Sequence, residues 1–234
     1  MKNIKQSKLF GYDFIHAASP EAGIEYIFDF STEANKYPVI STLNVDQIVK
    51  FEKNDVLKTF IKKSQLTFAD GQPLVWVSNF TATKLPARIT GSDLFPLFWK
   101  KAKEVNATIL CVVPNEQVAA QLKKDNNAVE CWVAPFVDYS NDAVVGEIID
   151  GLKLQFELDS FDFIVVGIGL PNRELLTKAL VERGFVNSKY LLFGAAFEFY
   201  LGIKKRAPKY GHLLGVSGYI VFYKSQVGFL EDIL

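Results

Sequence analysis

The sequence predicts an α/β fold: a mostly parallel β-sheet with helices on both faces and a small β segment at the N-terminus. Two observations predict it. Short β-rich runs alternate with stretches of helical period that begin on polar residues, the order expected of strand–helix–strand units. The strand runs are continuously apolar, the mark of strands buried on both faces. A third observation bounds the size. Of 234 residues, 49% are hydrophobic, enough for one sizeable core.

Taken in order, Pro20 and EAGIEYIFDF predict a helix over 20–30, after the N-terminal β segment. PVISTLN (38–44) is the first long strand, followed by one helix over 46–63. LTFA (66–69) is the next strand, with helices over 72–82 and 92–105. ATILCVV (107–113) leads into a helix over 115–124, and ECWVAP (130–135) into a helix over 141–155. DFIVVGIG (162–169) precedes a helix over 171–183, and YLLFG (190–194) is the last strand. There is no internal repeat, low-complexity tract or Pro/Ser-rich linker. The expected organisation is a single α/β domain over 1–208 and a C-terminal apolar segment over 209–234.

Lys plus Arg and Asp plus Glu are both 26, so the formal net charge is zero. That removes any global electrostatic case for nucleic acid, and none is expected as a partner. Cys111 and Cys131 lie in apolar, strand-like runs and fit no zinc spacing; they read as reduced core thiols of a cytosolic protein. The N-terminal stretch MKNIKQSKLFGYDF shows no signal-peptide apolar region. No window reaches the roughly 18 apolar residues of a membrane-spanning helix. LLGVSGYIVFY (213–223) is too short to cross but apolar enough to touch a bilayer or an oligomer partner. His16 and His212 have no partner at metal spacing, and no P-loop, HExxH, GxSxG or CxxC motif is present.

In folds of this class ligands sit beyond the carboxyl ends of the strands. There the sequence places Asn44-Val45-Asp46, Asp70-Gly71-Gln72-Pro73, Leu170-Pro171-Asn172-Arg173-Glu174 and Ala195-Ala196-Phe197-Glu198. Backbone N–H groups at the helix starts would favour anions. Only four basic residues are Arg (88, 173, 183 and 206), and three of them stand in Gly/Pro-marked turns. The planar fork of Arg grips phosphate or carboxylate bidentately. Each candidate also has a plain structural reading. Asp70 and Asn44 suit turns and helix caps, and Glu174 suits a helix N-terminus. Arg88 can pair with Asp93 on the surface, and Arg206 can be a solvated charge in the KKR run. Gly167 and Gly169 give G-x-G without the third glycine of a dinucleotide fingerprint.

Together, TLNVD (42–46), ADGQPLVW (69–76), ARITGSDL (87–94), VVGIGLPNRE (165–174) and GAAFEFYLGIKKRAP (194–208) resemble the WecG/TagA/CpsF glycosyltransferases in order and spacing. The resemblance runs from about Phe10 to Pro208. It implies a Rossmann-like α/β fold and inverting transfer of a sugar from a UDP-sugar to a sugar on a polyprenyl-diphosphate lipid. It implies a place in the synthesis of wall teichoic acid linkage units, enterobacterial common antigen, capsule or exopolysaccharide. No metal or other cofactor is expected. Asp70 falls on the family's proposed catalytic base, Asn44 on its Asn and Arg88 on the Arg of R-x-x-G-x-D. The same motifs carry Thr42, Gly71, Gly91, Asp93, Gly169, Pro171, Arg173, Glu174, Gly194, Ala195, Glu198 and Arg206 toward the substrates. The implied location is cytoplasmic, peripheral on the inner face of the membrane, with a homo-oligomer left open.

The sequence departs from the family pattern at two places. GLPNRE puts Arg173 where a Gln is usual, and GVSGYIVFYKSQ replaces a Glu-Trp pair and an arginine-rich C-terminal appendage. Two other classes of function stay in view: a nucleotide-sugar-binding protein without turnover, and a nicotinamide oxidoreductase. The latter would need the missing third glycine.

Overall fold

The computed structural model of the chain describes residues 4–205; Arg206 and the predicted apolar segment over 209–234 lie outside them. The N-terminal β segment is a hairpin of β1 (Gln6–Leu9) and β2 (Tyr12–Ile15), paired antiparallel. Its turn places Phe10 at φ 52° and Gly11 at φ 78°. Two successive positive φ angles make the two-residue turn whose twist matches a hairpin.

Six strands form one parallel sheet: β3 (Tyr37–Leu43), β4 (Ser64–Ala69), β5 (Ile109–Val113), β6 (Glu130–Val133), β7 (Phe163–Val166) and β8 (Lys189–Leu192). Their order across the sheet is β4-β3-β8-β7-β5-β6. Alternate residues face opposite sides, as strand geometry requires. Val39, Leu110, Ile164 and Tyr190 belong to one core layer, and Ile40, Cys111, Val165 and Leu191 to the other.

The first layer is covered by α2 (Val45–Glu52), α3 (Asp55–Lys62), α7 (Asp142–Gln155) and α8 (Asn172–Glu182), through Phe51, Phe60, Ile149 and Leu176. The hairpin joins it through Tyr12 and Phe14, and α4 (Gln72–Ser78) through Leu74. The second is covered by α1 (Pro20–Asp29), α5 (Gly91–Glu104), α6 (Glu116–Asp125) and α9 (Ala196–Tyr200). Here an aromatic cluster dominates: Phe95 meets Phe197 edge-on at 5.0 Å, and Phe98 meets Phe163 likewise at 5.0 Å. The α/β Rossmann-like expectation therefore holds in full.

The helix expected over 46–63 is two helices. Asn54 breaks it, because its side chain accepts from Leu57 N–H and caps α3. The strand expected over 162–169 ends at Val166. Gly167 N–H still donates to Val112 O, and the chain then turns toward a cis Leu170–Pro171 bond. The helix expected over 72–82 stops at Ser78, whose hydroxyl donates to Val75 O and accepts from Leu85 N–H. Cys111 and Cys131 are free thiols at paired positions of β5 and β6.

Candidate functional site

The sheet order puts the ends of β4, β3, β8 and β7 next to one another, so the loops carrying Asp70, Asn44, Gly194 and Gly169 share one edge. Neighbouring strands are about 4.8 Å apart, so two strand spacings, about 10 Å, separate the Asp70 loop from the Gly194 loop.

At the β4 end, Asp70 is half-buried. Its N–H donates to Leu43 O at 2.7 Å, carrying the β4–β3 ladder one residue beyond the strand. The cap position of α4 belongs to Gly71, and no side chain caps that helix. Asp70 is thus held at a strand end without serving as the N-cap residue. Gly71 lies against Asn44: a β-carbon on it would stand 3.7 Å from Asn44 Cβ.

Asn44 does serve as a cap. Its Oδ1 accepts from Gln47 N–H, and Gln47 Oε1 accepts from Asn44 N–H, both at 2.9 Å. This is the plain helix-cap reading, and it fixes the side chain beside Gly71.

The ARITGSD loop is stitched to the same place. Ile89 N–H donates to Ala69 O at 2.8 Å, which seats Arg88 beside the Asp70 turn. Arg88 pairs with Asp93 at 3.6 Å, and both are partly exposed. Thr90 caps α5 by accepting from Asp93 N–H, and its hydroxyl donates to Asp93 Oδ2 at 2.7 Å. Gly91 packs where strand ends crowd. A β-carbon there would lie 3.3 Å from Phe193 O and 3.4 Å from the hydroxyl of Thr42, which is buried near the end of β3. The sequence reading missed Thr90, although T-x-x-D before an apolar run is a capping signal.

At the β7 and β8 ends, Gly169 and Pro171 are exposed, and Gly169 O accepts from Arg173 N–H. Gly194 is buried with φ +55°, a conformation side chains resist. Arg173 fills the space beside it and bonds Glu174 through Nε at 2.5 Å. Glu174 is fully buried, so it faces packing and Arg173 rather than an open crevice. Burial pushes its carboxyl up from the ordinary value, against the pull of the Arg173 guanidinium. Ala195 precedes α9, and Glu198 pairs with Lys204 at 2.7 Å.

Thr42, Asn44, Asp70, Gly71, Arg88, Gly91, Asp93, Arg173 and Gly194 therefore converge. Glu174 lies beneath them, Glu198 is engaged on α9, and Arg206 is outside the described residues. Cavities of about 600 Å³, among Gln6, Asp29, Glu33 and Gln65, and about 390 Å³, among Tyr37, Asp55, Lys63 and Glu182, lie at the amino ends of the strands. Converging loops, rather than cavity size, single out the carboxyl edge. A carboxylate, an amide and guanidinium groups gathered there suit proton abstraction beside a bound anion.

The motifs that build this edge also match a known family. The model described as "Glycosyl transferase WecG/TagA/CpsF family" matches residues 7–217. The chain belongs to this family. WecG/TagA/CpsF membership makes it a glycosyltransferase of cell-surface polysaccharide biosynthesis, with a nucleotide-sugar donor and a lipid-linked acceptor in general terms. Among the described residues, no helix is long and apolar enough to cross a membrane.

Proposed function

We propose that the chain transfers a hexosyl or N-acetylhexosaminyl group, with inversion, from a UDP-sugar to a polyprenyl-diphosphate-linked saccharide. The observation that carries this reading is the Asp70 turn: it extends the β4–β3 ladder, abuts Asn44 through Gly71 and receives the Arg88 loop at Ala69. Asp70 takes the proton of the acceptor hydroxyl. That oxygen forms a bond to the anomeric carbon from the face opposite the diphosphate, the bond from carbon to diphosphate oxygen breaks, and UDP leaves. Arg88, and Arg206 from outside the described residues, are the proposed cations for the leaving diphosphate, so that no metal is required. Asn44, already fixed as a cap, orients Asp70 or holds a sugar hydroxyl.

The surroundings support a lipid-bearing acceptor. Just after Asp70, α4 and its following turn expose Trp76, Val77 and Phe80, the last at 92%. A peripheral position on the cytoplasmic face of the membrane follows from the acceptor, with segment 209–234 as a further contact.

Thermal-shift titration with a panel of UDP-sugars, with NAD alongside, identifies the donor. Transfer to a polyprenyl-diphosphate-linked saccharide, with and without EDTA, tests the reaction. Product of inverted anomeric configuration, formed equally with EDTA, is expected. Stabilisation by NAD alone, or a retained configuration, would refute the reading.

A further inference from the structure

Arg173 and Glu174 form a buried unit whose free groups have no structural use. Arg173 is 7% exposed and Glu174 0%. The Arg173 Nε–H donates to Glu174 Oε1, and among the described residues neither Nη group makes a hydrogen bond. Glu174 Oε2 is buried without a partner. The Nη atoms are not among the buried unsatisfied atoms, so they keep access to solvent at the edge, where an anionic acceptor can meet them. The geometry fixes where that acceptor would be. A β-carbon on Gly194 would stand 2.5 Å from Arg173 Nη1, so the fork lies against the Gly194 turn at the carboxyl edge. The backbone beneath it is anchored on both sides: Arg173 N–H donates to Gly169 O, and Thr177 Oγ1 donates to Arg173 O at 2.7 Å.

We infer that Glu174 is a positioning residue that holds the Arg173 guanidinium across the Gly194 turn, where its Nη edge clamps a diphosphate. Glu174 occupies the Nε edge of the fork. The Nη1–Nη2 edge is left for two oxygens, the bidentate geometry that a phosphate matches. The first turn of α8 adds its positive end to the same place. Gly194 is required because any side chain there would displace the fork. The inference rests on the glycosyltransferase reading, which brings two diphosphates to this edge, one in the nucleotide and one on the lipid.

Isothermal titration separates the sources. UDP is compared with uridine, and farnesyl diphosphate with farnesol, on the full chain, with unfolding midpoints recorded for each variant. Arg173→Gln, Glu174→Ala and Gly194→Ala should each weaken binding of at least one diphosphate by about tenfold to a hundredfold, the scale of a lost charge-assisted contact. Uridine and farnesol binding should not change. Glu174→Gln, which keeps an oxygen for Nε–H, should retain most of the affinity, whereas Glu174→Leu, which keeps similar volume without an acceptor, should lose it; equal affinity in these two folded variants would make Glu174 a packing residue only. Loss with UDP alone assigns the clamp to the donor, and loss with farnesyl diphosphate alone to the acceptor. Where Glu174→Ala does not fold, Gly194→Ala and Arg173→Gln decide. Wild-type affinity for both diphosphates in folded Arg173→Gln or Gly194→Ala overturns the clamp and leaves the proposed function standing. A wild-type chain that binds neither diphosphate overturns both.

Discussion

Gly71 and Asn44 face each other across the ends of neighbouring parallel strands, with 3.7 Å between Asn44 Cβ and the place of an absent β-carbon on Gly71. The loop carrying the proposed base and the loop carrying its neighbouring amide are therefore packed together, and Asn44 has two separable tasks.

Asn44→Ala should lose the capping box of α2 and about 0.5–2 kcal/mol of stability. Asn44→Ser keeps a capping oxygen and should recover most of that stability, but not a contact that needs an amide. Denaturant melts of both variants measure the cap, and transfer rates measure the site. Activity that returns together with stability in Asn44→Ser would make the residue a cap only.

Gly167 and Phe197 cannot both carry more bulk, because a β-carbon on Gly167 would overlap the Phe197 ring. Gly167→Ala should cost about 1–3 kcal/mol by overpacking. Phe197→Leu should cost stability by itself through lost packing in the aromatic layer. The double variant should be more stable than the sum of the two losses implies, and a double-mutant cycle reads that coupling. Strict additivity would place the strain elsewhere.

Ser7, held by His16, ties the hairpin to the turn after α4. Ser7 Oγ donates to Thr83 O at 2.7 Å and accepts from His16 Nε2–H at 2.6 Å. Partial burial, then the charge of Lys5, lowers the His16 pKa below its ordinary 6.5. The fold thus prefers neutral His16. Its contribution is complete above about pH 6.5 and is lost as pH falls from there toward the folded value. Melting temperature measured from pH 8 to 5 should drop in that window, and His16→Asn should flatten the drop.

The strands and most helices were legible because burial on both faces leaves uninterrupted apolar runs, as in IVV and ILCVV. Strand order was not, since the adjacency of β3 and β8 joins residues about 150 positions apart. The split at Asn54 was hidden in a run whose period stays helical on both sides. α9 was missed because GAAFEFY reads as a turn followed by too few residues for a periodic signal. In the site, the loops at the carboxyl edge were legible from strand ends alone. The burial of Glu174 was not, because an acidic residue in a first helical turn ordinarily faces water.

The most direct test of the account is sugar transfer by Asp70→Asn, with UDP affinity measured on the same preparation. Asp70→Asn should bind UDP as wild type does and lose transfer by about 100- to 10,000-fold, the range for removal of a general base. Wild-type turnover in the folded variant would contradict it.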